Sequence, residues 1–86
     1  MKKEDIIKAI EDLRMGLPFS YYTIGFADDI MSEKSYLKKM GYDLSTWKFW
    51  PVDSEEDAHE IKNYYITKGM KPCNNGKSEI KYIYIL

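Results

Sequence analysis

One segment of this 86-residue chain constrains the fold more than any other, because its start, its buried face and its end can all be read from the residues. It spans residues 53–70 and reads DSEEDAHEIKNYYITKGM. Ser54 can cap the helix, and acidic residues fill the first turn, where free N–H groups and the helix dipole favour negative charge. Apolar side chains then recur at helical spacing, at Ala58, Ile61 and Tyr65. Gly69 suits the left-handed residue that ends a helix, so the segment predicts a complete amphipathic helix.

The rest of the chain alternates helical and strand patterns. Apolar residues at helical spacing predict a helix over residues 4–15, and a second, short helix over residues 32–41. Residues that alternate between two faces predict strands over 20–26 and 46–52. The last seven residues, 80–86, are apolar on both faces, which predicts a central strand.

Four further signals refine this pattern. Pro51 cannot donate to a strand ladder, which places the second strand at a sheet edge. Gly25 has no side chain to pack, which predicts a bulge or a close approach to the backbone. Residues 71–79 have the composition of a loop, with a turn at Asn75 and Gly76. Eighty-six residues without a linker make one domain, 1–86, and the element order is α-β-α-β-α-β. We therefore predict an α/β (α+β) fold with a three-stranded sheet, covered mainly on one side by three helices.

Charge and cysteine content narrow the class of protein. Thirteen basic and fourteen acidic side chains give a net charge of −1, without the basic excess that is typical of a nucleic-acid binder. The single cysteine cannot form an internal disulfide, and no secretory leader is recognisable. No apolar run approaches the roughly 20 residues that a membrane helix needs. We expect a cytoplasmic protein that has no membrane contact and no cofactor.

Few residues could carry chemistry. His59 is the only histidine, and it lies one helical turn from Glu55 and Glu56, but a zinc site needs further nitrogen or sulfur ligands. We expect an exposed histidine and no metal site. Cys73 is expected to be a free surface thiol rather than a nucleophile. Lysines surround the glycine turn and could bind an anion together with its N–H groups, at Lys68, Lys71 and Lys77.

Tyrosine is the least ordinary part of the composition, with eight in the chain. The tyrosines include the adjacent pairs Tyr21-Tyr22 and Tyr64-Tyr65. Adjacent residues on a strand face opposite sides, so both cannot be buried in a sheet that is covered on one side, and some tyrosine must be near solvent. Tyrosine and tryptophan are enriched in protein interfaces because they combine large apolar area with a polar tip. We predict a binding surface formed by outward-facing rings, at Tyr21, Trp50 and Tyr64. The alternative is that tyrosine fills the rim of a small core.

Two stretches of the chain resemble small bacterial GIY-YIG-like domains. The first is Thr23-Ile24-Gly25 followed by Asp28-Asp29, and the second is DAHEIKNYYITKGM over residues 57–70. In that family, a strand ending in Tyr-Ile-Gly leads to a helix that bears an arginine. A later helix with the pattern A-x-x-hydrophobic-E-x-aromatic-aromatic carries the metal-binding glutamate. The resemblance covers about residues 20–86.

The chain departs from this family at the positions that carry the chemistry. Thr23 stands where the family has its second-motif tyrosine, and Lys62 stands where it has the metal glutamate. No arginine occurs between Met31 and Met40. Because the nuclease reaction needs a tyrosine base, an arginine on the phosphate and a carboxylate-held metal, the resemblance implies a catalytically inactive scaffold that is kept for binding.

These observations favour a small non-enzymatic binding module that regulates or inhibits a protein partner. One specific form of this hypothesis is a phage-encoded inhibitor of a host nuclease, and self-association through the same aromatic surface is an equivalent use of it. The alternative function is a divergent metal-dependent nuclease or nucleic-acid-binding domain that uses Tyr22, Glu60 and the lysine loop.

Overall fold

The computed structural model describes residues 1–73 and 79–86. Within these ranges the chain forms three α-helices, one short 3₁₀ turn and four strands. In chain order they are α1 (Lys3–Arg14), the 3₁₀ turn (Phe19–Tyr21), β1 (Thr23–Ala27), α2 (Ile30–Lys39), β2 (Lys48–Pro51), α3 (Glu55–Lys68), β3 (Lys71–Cys73) and β4 (Tyr82–Ile85). The mixed helix and strand fold is therefore confirmed.

The described strands form a single sheet in the order β2-β4-β1-β3. β4 is antiparallel to both β1 and β2, whereas β3 is parallel to β1. The last strand is central and β2 is an edge strand, as the sequence predicted. The prediction of three strands is wrong, because part of the expected loop, Lys71–Cys73, pairs with β1. This strand is only three residues long and contains Pro72, so its composition did not indicate a strand.

Most helix and strand boundaries differ by a few residues from the sequence prediction, and two of these differences have a visible cause. Tyr21 belongs to the 3₁₀ turn rather than to β1. α2 begins two residues before Ser32, because the Asp29 side chain caps it by accepting from the N–H groups of Met31 (2.9 Å) and Ser32 (3.2 Å). Ser54 caps α3 as expected, with its hydroxyl 3.1 Å from the Asp57 nitrogen.

The larger part of the core lies between one face of the sheet and the pair α1 and α3. Fully buried isoleucines line the sheet side, at Ile24, Ile83 and Ile85. The helices contribute a matching set of buried residues, Ile6 and Ile10 from α1 and Ala58, Ile61 and Tyr65 from α3. Their spacing in the sequence follows the helical period, which is why these faces could be predicted.

The second face of the sheet is covered by α2 and the segment after it, and not left largely open as predicted. Tyr84 and Leu37 are fully buried there, together with Ala27. The Tyr84 ring lies directly over Gly25: a Cβ at residue 25 would be 2.5 Å from the Tyr84 Cζ atom. Gly25 therefore marks a close approach, as the sequence indicated, and the approaching group is a tyrosine ring.

Candidate binding surface

The two helices on the larger core face run side by side in the same direction. Near their N-termini the Lys3 ammonium lies 2.6 Å from the Glu60 carboxylate, and one to two turns further on the Tyr65 hydroxyl donates to Glu11 at 2.9 Å. The C-terminal ends of α1 and α3 therefore meet at one end of the molecule. The 3₁₀ turn that joins α1 to β1 lies at the same end.

A chain of ring contacts organises this end. The Phe19 and Tyr65 rings are 6.1 Å apart between centroids, and the Tyr64 ring meets the Tyr65 ring edge-on at 4.9 Å. The Arg14 guanidinium lies 3.9 Å from the centroid of the Phe19 ring. Around these contacts, large apolar side chains remain exposed: Met15 by 83%, Tyr21 by 69%, Leu17 by 46% and Tyr64 by 46%. We call these four residues the tyrosine end.

Buried and ion-paired groups hold the tyrosine end in place from beneath. Tyr65 is fully buried, and burial together with its hydrogen bond to Glu11 raises the pKa of its hydroxyl. Arg14 donates to Glu11 at 2.8 Å, and this contact, with the Tyr65 hydrogen bond, lowers the pKa of the Glu11 carboxyl although partial burial opposes it. Tyr64 thus projects from a helix turn whose neighbouring ring is fixed, so its exposed ring is presented on a rigid element.

The predicted aromatic set divides in the structure. Tyr21 and Tyr64 are both exposed at the tyrosine end. Trp50 is on β2, an edge strand two positions from β1, where it is half-buried and packs against the core beneath α1 and α3. It does face away from Trp47 and Phe49, as predicted, but the face it occupies is the one that these helices cover. The expectation that Trp50 is an outward ring is therefore corrected.

The predicted anion site is only partly described. Lys68 and Lys71 are exposed beside the tyrosine end, with the Lys68 ammonium 5.4 Å from the centroid of the Tyr64 ring. Lys77 and the turn at Asn75 and Gly76 lie outside the described residues, so the anion site stays a prediction.

Cys73 is buried, with 6% of its surface exposed, so the expectation of a surface thiol is wrong. Cys73 is buried because it belongs to β3, which the sequence prediction lacked, and its side chain lies on the sheet face that α2 covers. There the neighbouring Cys73 raises the pKa of Tyr42 and contributes to the raised pKa of Tyr84.

Sequence reasoning also missed a buried carboxyl beneath α2. Glu33 is fully buried, and the Tyr84 hydroxyl donates to its Oε2 atom at 2.7 Å in a buried hydrogen bond. Burial raises the pKa of Tyr84, and its hydrogen bonds to Cys73 and Glu33 raise it further. The helical spacing of Ile30, Glu33 and Leu37 was the available signal, since it places the glutamate on the inward stripe. This contact fixes α2 against the sheet.

A second exposed ring lies at the β2 edge on the α2 side. Phe49 is 43% exposed, and its ring centroid is 5.2 Å from Trp47 and 6.0 Å from Tyr82. Trp47 and Tyr82 are half-buried, so Phe49 is the one exposed ring of the three, and this cluster exposes fewer large apolar side chains than the tyrosine end.

The residues of the alternative nuclease reading are engaged in other contacts. Glu60 forms the ion pair with Lys3, and Tyr22 is half-buried against the core. The Lys62 ammonium lies 4.5 Å from the centroid of the Phe26 ring, and burial lowers its pKa. The exposed His59 meets the same ring edge-on at 5.2 Å. In residues 1–73 and 79–86, no three His, Cys, Asp or Glu side chains are grouped so that they could hold a metal ion.

Comparisons with known proteins do not assign this chain to a class. No family model matches it, and neither a curated protein nor a solved structure is significantly similar to it. These comparisons therefore do not bear on the resemblance to GIY-YIG-like domains. Within the described part of the chain, none of the helices has the length and apolar character that crossing a membrane requires.

Proposed function

We propose that this protein is a small binding module that engages another protein through the tyrosine end. The observation that carries the proposal is the grouping of exposed Tyr21, Tyr64, Met15 and Leu17 at the shared C-terminal end of α1 and α3. Large exposed apolar side chains grouped at one end of a soluble protein are typical of an interaction site.

The composition of this surface resembles that of a binding hot spot. Tyrosine loses little rotamer entropy on binding and offers both an apolar ring and a hydroxyl. The edge contact with Tyr65 and the position of Lys68 restrict the Tyr64 ring before any partner arrives. Such preorganisation lowers the entropic cost of association. A module of this size regulates its partner most simply by covering part of the partner's surface, and one specific form of the proposal is an inhibitor of a host nuclease.

The edge strands favour side-chain contacts over strand addition. Val52 donates its N–H to the Lys81 carbonyl at 3.0 Å, so the alternate position, Pro51, faces away from β4. The backbone N–H of Lys71 donates to the Tyr22 carbonyl at 3.1 Å, so the next residue, Pro72, faces away from β1. Proline offers no N–H to an incoming strand, so both edges are protected against pairing.

Copurification from a host lysate with matched variants tests the proposal. Truncation of a hot-spot tyrosine typically costs about 2 kcal/mol or more of binding free energy, so Tyr21→Ala and Tyr64→Ala should each reduce recovery of a stoichiometric partner by roughly tenfold or more. Tyr36→Ala is the control, because Tyr36 is 40% exposed on α2 and lies outside the tyrosine end. A partner that is retained by both tyrosine-end variants and lost in the control would refute the proposed surface.

A further inference from the structure

The two ends of the molecule carry opposite charge, and this polarity follows from the topology. β1 and β2 run in the same direction, and the helices α2 and α3 that follow them start at the carboxyl ends of these strands. α1 also begins there, since the N-terminal ammonium group lies 2.6 Å from the Asp53 carboxylate. The helix N-termini therefore share the end of the molecule opposite to the tyrosine end.

Most of the acidic side chains lie at that opposite end. They come from the first turn of α1, from the first two turns of α3, from the residues after β1 and β2 and from the segment before β4. These residues are Glu4, Asp5, Asp28, Asp29, Asp53, Glu55, Glu56, Asp57, Glu60 and Glu79. The Glu55 carboxylate accepts the Ile80 N–H at 3.1 Å, which joins the last of these segments to α3. Four cations lie at this end too: the N-terminal ammonium group, Lys3 and Lys81 pair with Asp53, Glu60 and Glu79, and Lys2 is beside them. The ten carboxylates therefore exceed the cations by six, and we call this set the acidic end.

The tyrosine end carries cations around its apolar side chains. Lys68 closes α3, Lys71 opens β3 and Lys48 opens β2, and all three are exposed. Arg14 is at the same end, where it neutralises the nearby Glu11. The other acidic side chains here are Asp12 on the last turn of α1 and Asp43 between α2 and β2, and the last turn of α2 adds Lys38 and Lys39, so cations outnumber the uncompensated acids.

We infer that the acidic end of a second copy of this chain docks on the tyrosine end, so that copies associate head to tail. Opposite charge at the two ends attracts and orients two copies in this arrangement, whereas tail-to-tail contact brings like charges together. The acidic end also presents exposed apolar groups beside its carboxylates, at Met1 and Pro51. Because the contacting surfaces are different, the association is heterologous and produces open chains or closed rings rather than a two-fold dimer.

The inference goes beyond the proposed foreign partner and does not require one. The surface that docks on the tyrosine end is acidic and carries a few apolar groups. Loss of self-association would leave the proposed function intact, because that proposal is tested separately by partner recovery.

Sedimentation velocity over a range of protein concentrations measures the association. At about 20 mM salt the average mass should rise with concentration above the 10.2 kDa of one chain, without stopping at a dimer. At about 0.5 M salt, where the Debye length falls to a few ångströms, it should return towards the monomer. A parent protein that stays monomeric at low salt, or an association that salt leaves unchanged, would overturn the inference.

Charge reversal at each end gives the decisive comparison. Lys68→Glu with Lys71→Glu makes both ends acidic, and Glu4→Lys with Glu56→Lys makes the acidic end more basic, so each variant alone should associate at least roughly tenfold more weakly. An equimolar mixture of the two should regain association, because complementary ends are then present again. Lys8→Glu with Lys34→Glu is the control, since both lysines lie within helices away from the ends, and it should associate like the parent. Reversal variants that associate alone as the parent does, or a mixture that regains nothing, would contradict head-to-tail contact.

Discussion

The contact between Gly25 and Tyr84 makes Gly25→Ala a sensitive test of the packing beneath α2. In the sheet interior, alanine alone should stabilise by about 0.4–1 kcal/mol, because it restricts the unfolded chain. The new Cβ, however, would lie 2.5 Å from both the Cζ and hydroxyl atoms of Tyr84, so the ring must move. Overpacking of this kind typically costs about 1–3 kcal/mol.

Movement of the Tyr84 ring also strains its hydrogen bond to the buried Glu33 carboxyl. A buried polar group that loses its partner typically costs a further 1–3 kcal/mol or so. The three contributions together predict that Gly25→Ala lowers the free energy of unfolding by about 1–6 kcal/mol, centred near 3, which is a large part of the stability of a small domain. Urea denaturation followed by circular dichroism measures this change.

A double-mutant cycle separates the clash from other effects. In a Tyr84→Ala background the ring is absent, so Gly25→Ala should be neutral or slightly stabilising there, with a coupling free energy above about 1 kcal/mol. If Gly25→Ala leaves the parent's unfolding midpoint unchanged, or costs the same in both backgrounds, the ring does not lie over residue 25.

Three further predictions follow from the other contacts. Arg14 and Tyr65 lower the folded-state pKa of Glu11 from 4.5. The ionised Glu11 carboxylate therefore stabilises the fold above pH 4.5, and this stabilisation is lost as the pH falls through the lowered pKa. Glu11→Gln should reduce the acid sensitivity of the melting temperature, and an unchanged pH profile would contradict this. Because Glu60 pairs with Lys3 and Lys62 rests on Phe26, we expect no metal-dependent cleavage of DNA or RNA, and cleavage that disappears in Glu60→Ala would refute that expectation. Trp50→Ala should lower the melting temperature more than Tyr64→Ala, since Trp50 is half-buried against the main core whereas Tyr64 is 46% exposed, and equal melting temperatures would contradict this.

Residues with a strong local pattern could be placed from the sequence. The cap at Ser54, the buried stripe of α3 and the end of the helix at Gly69 are all encoded within one segment, so they needed no tertiary information. The central position of β4 followed from a segment that is apolar on both faces. Pro51 indicated an edge strand because its chemistry excludes a ladder hydrogen bond on one side.

The features that were missed depend on contacts between distant parts of the chain. β3 is three residues long and pairs with β1 through its backbone, so neither propensity nor alternation reveals it. Trp50 alternates correctly, yet its exposure depends on which face α1 and α3 cover. The buried pair Glu33 and Tyr84 is separated by 51 residues, and a charged residue in a helix is ordinarily read as exposed.

The candidate surface was also predictable only in part. Exposed Tyr21 was predicted because adjacent residues on a strand face opposite sides, and exposed Tyr64 because it lies about 100° around α3 from the buried Tyr65, at the edge of the apolar stripe. Their grouping with Met15 and Leu17 was not predictable, since it requires the parallel arrangement of α1 and α3. That arrangement also separates the acidic first turns from the tyrosine end.

The affinity of an isolated partner for three purified proteins tests the central claim most directly. Calorimetry with the parent, Tyr64→Ala and Tyr36→Ala compares an exposed ring at the tyrosine end with one on α2, at similar exposure of 46% and 40%. We expect Tyr64→Ala to raise Kd by roughly tenfold or more, which corresponds to at least about 1.4 kcal/mol, and Tyr36→Ala to leave it within about twofold. Equal affinities of the parent and Tyr64→Ala, with both proteins fully folded, would contradict the assignment of the tyrosine end as the binding surface.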